Sequence, residues 1–184
     1  MITEETIQKV RDFAFSQGAP ISFHLEVSND KGQTIAEQLG ADKKVVFLGT
    51  LLMDCEIGRA IREGRQKDHI AMSAEKAREV LLQFPEMTPD EKQNVINCVL
   101  EHHRVPKFSS QESEICCNAD CYRFASIKGF LGTIRYLREM EFSALLKLLN
   151  DKLEEKWNAL TLDSCKKELE PQYKVLRQLL DSLT

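Results

Sequence analysis

Apolar residues recur at helical spacing along nearly the whole chain, and the periodic stretches are separated by caps and stops. Near the N-terminus, Thr3 precedes Glu4 and Glu5, anions suited to a first helical turn, and Ile7, Val10 and Phe13 repeat on one face until Gly18 and Pro20. A second helix is predicted from Ser22 to Leu39, closing at Gly40, and Asp42 caps a third. The run from Val45 to Leu52 in that third segment is the most apolar in the chain. Its length suits a buried helix or a buried strand, and helix is preferred because no second strand candidate exists to pair with it.

Cys55 to Lys67 is polar, contains Gly58 and Gly64, and reads as a loop or short irregular turn. A helix follows from about Asp68 to Phe84, with Met72, Ala77, Val80 and Leu81 on its apolar side and Pro85 as its stop. Thr88, Pro89 and Glu91 form a capping box with proline at the first helical position. That helix carries Val95, Ile96, Val99 and Leu100 to His102 and His103. Ser109 with Glu112 reads as a second capping box, opening a helix that runs past Asp120. Two or three more helices complete the chain, one bearing the stripe Leu145, Leu146, Leu149, Leu153, Trp157 and Leu160. The pattern predicts one all-α domain over residues 1–184.

Composition narrows the class. Of 184 residues, 42% are hydrophobic and 29% charged, ordinary for a packed globular chain and unlike a disordered one. The net charge of -4, with both signs interspersed, leaves no basic patch for dedicated nucleic-acid binding. No apolar run reaches the ~20 residues needed to span a bilayer, and the charged N-terminus has no signal-peptide core, so a cytoplasmic location is expected. The six cysteines are unevenly spaced and read as reduced thiols; Cys117 and Cys121 share a helix face.

The chemistry available is sparse. The four histidines are His24, His69, His102 and His103, each of which, taken alone, reads as a surface or capping residue. Asp120, within the string ICCNADCYRF, needs a partner if buried, because an isolated buried carboxylate is costly. Imidazole and carboxylate together are the ligands that magnesium and first-row metals accept.

The order of these residues resembles the HD superfamily of metal-dependent phosphohydrolases. The stretch HLEVSNDKGQTIAEQLGADKKVVFLGTLLMD is similar to the opening His and the helices leading to that family's His-Asp pair. DHIAMSAEKAREVL resembles the next family His and its helix, VINCVLEHH the helix ending in histidines, and ICCNADCYRFASIKGFLGTIRYL the helix of the distal Asp. The resemblance implies a compact HD-like helical bundle with a core over about 20–140, and residues 141–184 packed on it. It implies metal ligation by His24, Asp54 and Asp120, and roles at the reacting centre for Asp54, His69 and His102, with His103 the alternative if the helix phase differs by one. Arg59 is a candidate cation for the phosphoryl oxygens, or simply a solvated loop arginine.

Met53 stands where the family carries the His of its pair. A thioether suits hard divalent ions poorly, so the remaining set favours Mg²⁺ or Mn²⁺ over Zn²⁺, Ni²⁺ or Fe²⁺. On this reading Met53→His would tighten metal binding. The function implied is hydrolysis of a phosphate monoester or nucleotide. The alternative is a catalytically degenerate domain without metal that binds a ligand or another protein. Neither membrane nor nucleic-acid partners are expected; a homo-oligomer is compatible with either reading.

Overall fold

A computed structural model describes residues 1–183. Among them are ten α-helices, one 3-10 turn and no strand. In chain order they are α1 (Glu4–Ser16), α2 (Ser22–Leu39), α3 (Lys43–Leu52), α4 (Ile57–Arg62), a 3-10 turn (Gln66–Asp68), α5 (His69–Leu82), α6 (Pro89–Glu101), α7 (Gln111–Ala125), α8 (Ile127–Tyr136), α9 (Phe142–Ala159) and α10 (Asp163–Asp181). None is long and apolar enough to cross a membrane.

The apolar run of Val45 to Leu52 is helical and central. Val45, Val46, Leu48, Leu51 and Leu52 are buried, each worth ~1.5–3 kcal/mol relative to exposure. α3 packs against α1, α2, α6 and α7, so apolar residues are needed around its whole circumference. The packing is close: a Cβ on Gly49 would lie 2.6 Å from Cys98 Cβ and 2.8 Å from Cys116 Sγ. Glycine at that position lets α3 approach α6 and α7. α7 is the second central helix, with neighbours α2, α3, α6, α8, α9 and α10.

The helix starts follow local rules with one shift of frame. Thr88 and Glu91 make their capping box, with Pro89 at the first helical position. The box of α7 is formed by Ser110 and Ser113, not by Ser109 and Glu112. Glu112 instead accepts from the Asp42 amide at 2.9 Å and from Asn94 Nδ2 at 3.1 Å, tying α7 to the start of α3 and to α6. The segment 55–67, expected to be a loop, contains α4. Arg59 pairs with Glu56 and Glu63 at helical spacing, and Gly58 acts there as a contact rather than a breaker. A Cβ on Gly58 would sit 2.8 Å from Ala19 Cβ.

Candidate metal centre and substrate cavity

The turn after α3 brings Asp54 into a cavity of about 260 Å³ lined by segments from across the chain. His24, Asp54, His69, His103, Asp120, Arg123 and Lys156 all line it. Asp54 is 7% exposed, and its two oxygens have different surroundings.

Oδ1 faces imidazoles. His69 Nε2 is 3.3 Å away and His102 Nε2 3.4 Å away. His69 is the first residue of α5 and His102 ends α6, and each ring is held from behind by a backbone carbonyl. His69 Nδ1 lies 2.7 Å from Gln66 O, and His102 Nδ1 lies 2.7 Å from Val99 O. A carbonyl only accepts, so both Nδ1 atoms carry protons. In the neutral ring, Nε2 then presents a lone pair towards Asp54. Neither Asp54 Oδ1 nor His102 Nε2 has a hydrogen-bond partner, although both are buried. Two acceptors facing one another at this distance call for a proton or a cation between them. For His69, burial is the largest influence and lowers its pKa, but Asp54 outweighs it and raises the pKa overall.

His103 completes a group of three imidazoles with ligand atoms within 4.8 Å of one another. Its Nε2 lies 3.4 Å from Lys156 Nζ. An ammonium only donates, so that nitrogen accepts. Burial and then Lys156 lower the His103 pKa to about 3, keeping the ring neutral.

Oδ2 of Asp54 faces cations. Arg123 Nη1 donates to it and also lies 3.1 Å from Asp120 Oδ1, one helical turn away on α7. Lys156 Nζ, from α9, lies 2.6 Å from Asp120 Oδ2. Asp120, Arg123 and Lys156 are all nearly inaccessible. Burial alone would raise the Asp120 pKa, but Lys156 and then Arg123 hold it well below the usual carboxylate range. Burial likewise opposes the charge on Lys156, and Asp120 with Glu155 raises its pKa in spite of it.

The third predicted ligand, His24 on α2, lies on the wall of the same cavity. Its Nε2 is 2.9 Å from the hydroxyl of Thr133 on α8. Burial and then Arg123 lower its pKa to about 4. Met53 is fully buried but does not line the cavity. Of the two adjacent histidines, His103 reaches the cavity wall while His102 points its Nε2 at Asp54 from full burial. Arg59, with its side chain 52% exposed, pairs with Glu56 and Glu63 and does not line the cavity, which fits a solvated arginine.

The ligand set expected from the sequence does not fit a metal ion as it stands. The Asp54 and Asp120 oxygens that would meet at an ion meet at Arg123 instead. A different set of donors lies close together: His69 Nε2 and His102 Nε2 each approach Asp54 Oδ1, and Asp54 Oδ1 and His102 Nε2 are buried without hydrogen-bond partners. Arg123 and Lys156 were not singled out from the sequence, although signals existed. Arg123 lies three residues beyond Asp120, the spacing of a helical ion pair, and Lys156 falls on the core-facing stripe of α9 after Leu149 and Leu153.

Comparison with solved structures finds the same fold elsewhere. A predicted HD superfamily hydrolase from an uncultured Thermotogales bacterium superposes with a TM-score of 0.66 at 17% identity, covering 97% of this chain and 89% of that one. An HD-superfamily hydrolase from Bacillus thuringiensis gives 0.67 at 17% identity, covering 98% and 93%. The chain shares its fold with these two hydrolases. Bacillus subtilis YpgQ, solved in complex with ADP, also matches, with a TM-score of 0.70 at 16% identity over 97% of this chain and 93% of that one. No family model and no curated protein matches the sequence.

Proposed function

We propose that this HD-fold chain is a metal-dependent phosphohydrolase acting on a small phosphate ester or nucleotide, with its ion held by Asp54, His69 and His102. The observation that carries the reading is the pair of buried, unpartnered atoms, Asp54 Oδ1 and His102 Nε2, that face each other with the ring locked by Val99 O. Two imidazoles and one carboxylate suit Mn²⁺, Fe²⁺ or Zn²⁺ better than Mg²⁺. A bound ion would polarise a phosphoryl oxygen and acidify a water.

The chain's own groups supply the rest. Arg123 and Lys156 also line the cavity, but Asp54 and Asp120 neutralise them, so they orient the carboxylates and add little net positive charge for phosphoryl oxygens. Lys152, more exposed than these two and paired with Glu155, is a further lysine on the cavity wall. Ile57, Ile61, Ile21, Leu137 and Leu148 form an apolar wall suited to the organic part of a substrate. At about 260 Å³ the cavity favours a small ligand, and the ADP complex of the YpgQ neighbour supports a nucleotide as one class to test.

The test is turnover of p-nitrophenyl phosphate and of nucleoside mono-, di- and triphosphates, after chelator treatment and with Mn²⁺, Fe²⁺, Zn²⁺, Ni²⁺ or Mg²⁺ restored. The reading predicts phosphate release that depends on added metal and is lost in His102→Ala. Absence of turnover with every ion would overturn it. A second reading, a domain that binds a phosphorylated ligand without hydrolysing it, is favoured by Met53 and by Arg123 standing between the carboxylates. It predicts saturable nucleotide binding without turnover, unaffected by chelator.

A further inference from the structure

Two buried carboxylates from different parts of the chain, Asp54 after α3 and Asp120 on α7, converge on a single nitrogen, Arg123 Nη1. The second oxygen of Asp120 is taken by Lys156 at 2.6 Å, and His24 lines the same cavity. Two carboxylates beside an imidazole make a donor set for a divalent cation. Here the two formal positive charges come from side chains, and they balance the two carboxylates as one divalent ion would. The side chains of Arg123, Asp120 and Lys156 are 4%, 2% and 4% exposed, so solvent does little of this neutralisation.

We infer that Arg123, supported by Lys156, is a built-in replacement for a metal ion at the Asp54–Asp120 pair. It keeps divalent cations out of that corner, and its removal opens the corner to one. Arg123 is also a positioning residue. By binding Oδ2 it fixes the Asp54 carboxylate with Oδ1 towards His69 and His102. A guanidinium satisfies two carboxylate oxygens only by sitting between them, the space an ion would need. Met53 is consistent with this, since no imidazole is required where no ion binds.

The experiment counts Mn²⁺ bound per full-length chain by equilibrium dialysis and elemental analysis, native against Arg123→Ala. The expected result is one more ion in Arg123→Ala than in the native protein. That extra ion should disappear in Arg123→Ala/Asp120→Asn and persist in Arg123→Ala/His102→Ala. Arg123→Lys, which keeps the charge, should hold the native count. An unchanged count in folded Arg123→Ala, judged by its helical circular dichroism, would overturn the inference. Should that variant not fold, Arg123→Gln decides by the same count, because its amide keeps a donor to the carboxylates without the charge. Since the readout is a difference, a native count of zero would sink the histidine-held ion and leave this inference standing.

Discussion

Asp54 has one oxygen in each of two unlike corners of the same cavity. In the arginine corner, Oδ2, Asp120, Arg123 and Lys156 form an ion-pair network whose charges cancel and whose cations are covalently part of the chain, although Asp120 Oδ2 and Arg123 Nε lack a well-directed hydrogen bond. In the histidine corner, Oδ1 and His102 Nε2 face each other without a partner, and the rings are fixed by Gln66 O and Val99 O. Both corners are buried, so solvent cannot account for the difference. A network whose charges cancel is a structural solution to burying charge, whereas two facing acceptors with no donor between them call for a proton or a cation.

The largest effect should come from breaking the arginine corner. Lys156→Ala leaves Asp120 Oδ2 buried without its ammonium and should cost ~3–5 kcal/mol in denaturant unfolding. A loss below about 1 kcal/mol would mean that the network is more open to water than its burial implies. Opening the histidine corner should behave differently. With chelator present, His102→Ala should lose less stability than Lys156→Ala. With Mn²⁺ at ~100-fold above Kd, the native protein should gain ~2.7 kcal/mol that His102→Ala does not. Equal gains in both proteins would place the ion elsewhere.

Acid should act next, through His24. Its folded pKa of about 4 lies below the ordinary histidine value of 6.5. The folded state therefore favours the neutral ring, so its contribution is complete above pH 6.5 and is lost as pH falls towards 4. For a residue still partly open to solvent, the loss should be on the order of 1–2 kcal/mol. Metal-free His24→Gln should show a flatter stability profile across that window, and a profile of native steepness would remove His24 as its source. The smallest effect belongs to Arg59→Ala in α4. With Arg59 half exposed, the change should leave both the unfolding midpoint and phosphate release essentially unchanged.

How much of this was legible in the sequence depended on how local the cause was. Thr88, Pro89 and Glu91 announce α6 because a capping box is completed within one turn. Asp120 announced its need for a partner, since apolar neighbours imply burial. The identity of the partners was harder. Lys156 reaches Asp120 only because α9 packs on α7, and Arg123 reaches Asp54 only because α7 packs on α3. α4 was missed because Gly58 resembles a breaker until Ala19 is seen against it. The four histidines were noticed by their order along the chain. Sorting His69 and His102 from His24 required knowing which oxygen of Asp54 each one faces.

The account rests most heavily on the histidine corner, and calorimetric titration of Mn²⁺ into chelator-treated native protein, His102→Ala and His24→Gln tests it directly. One ion should bind the native chain and His24→Gln alike, and His102→Ala should show no binding. Loss of binding in His24→Gln with retention in His102→Ala would instead return the ion to the carboxylate pair and contradict the account.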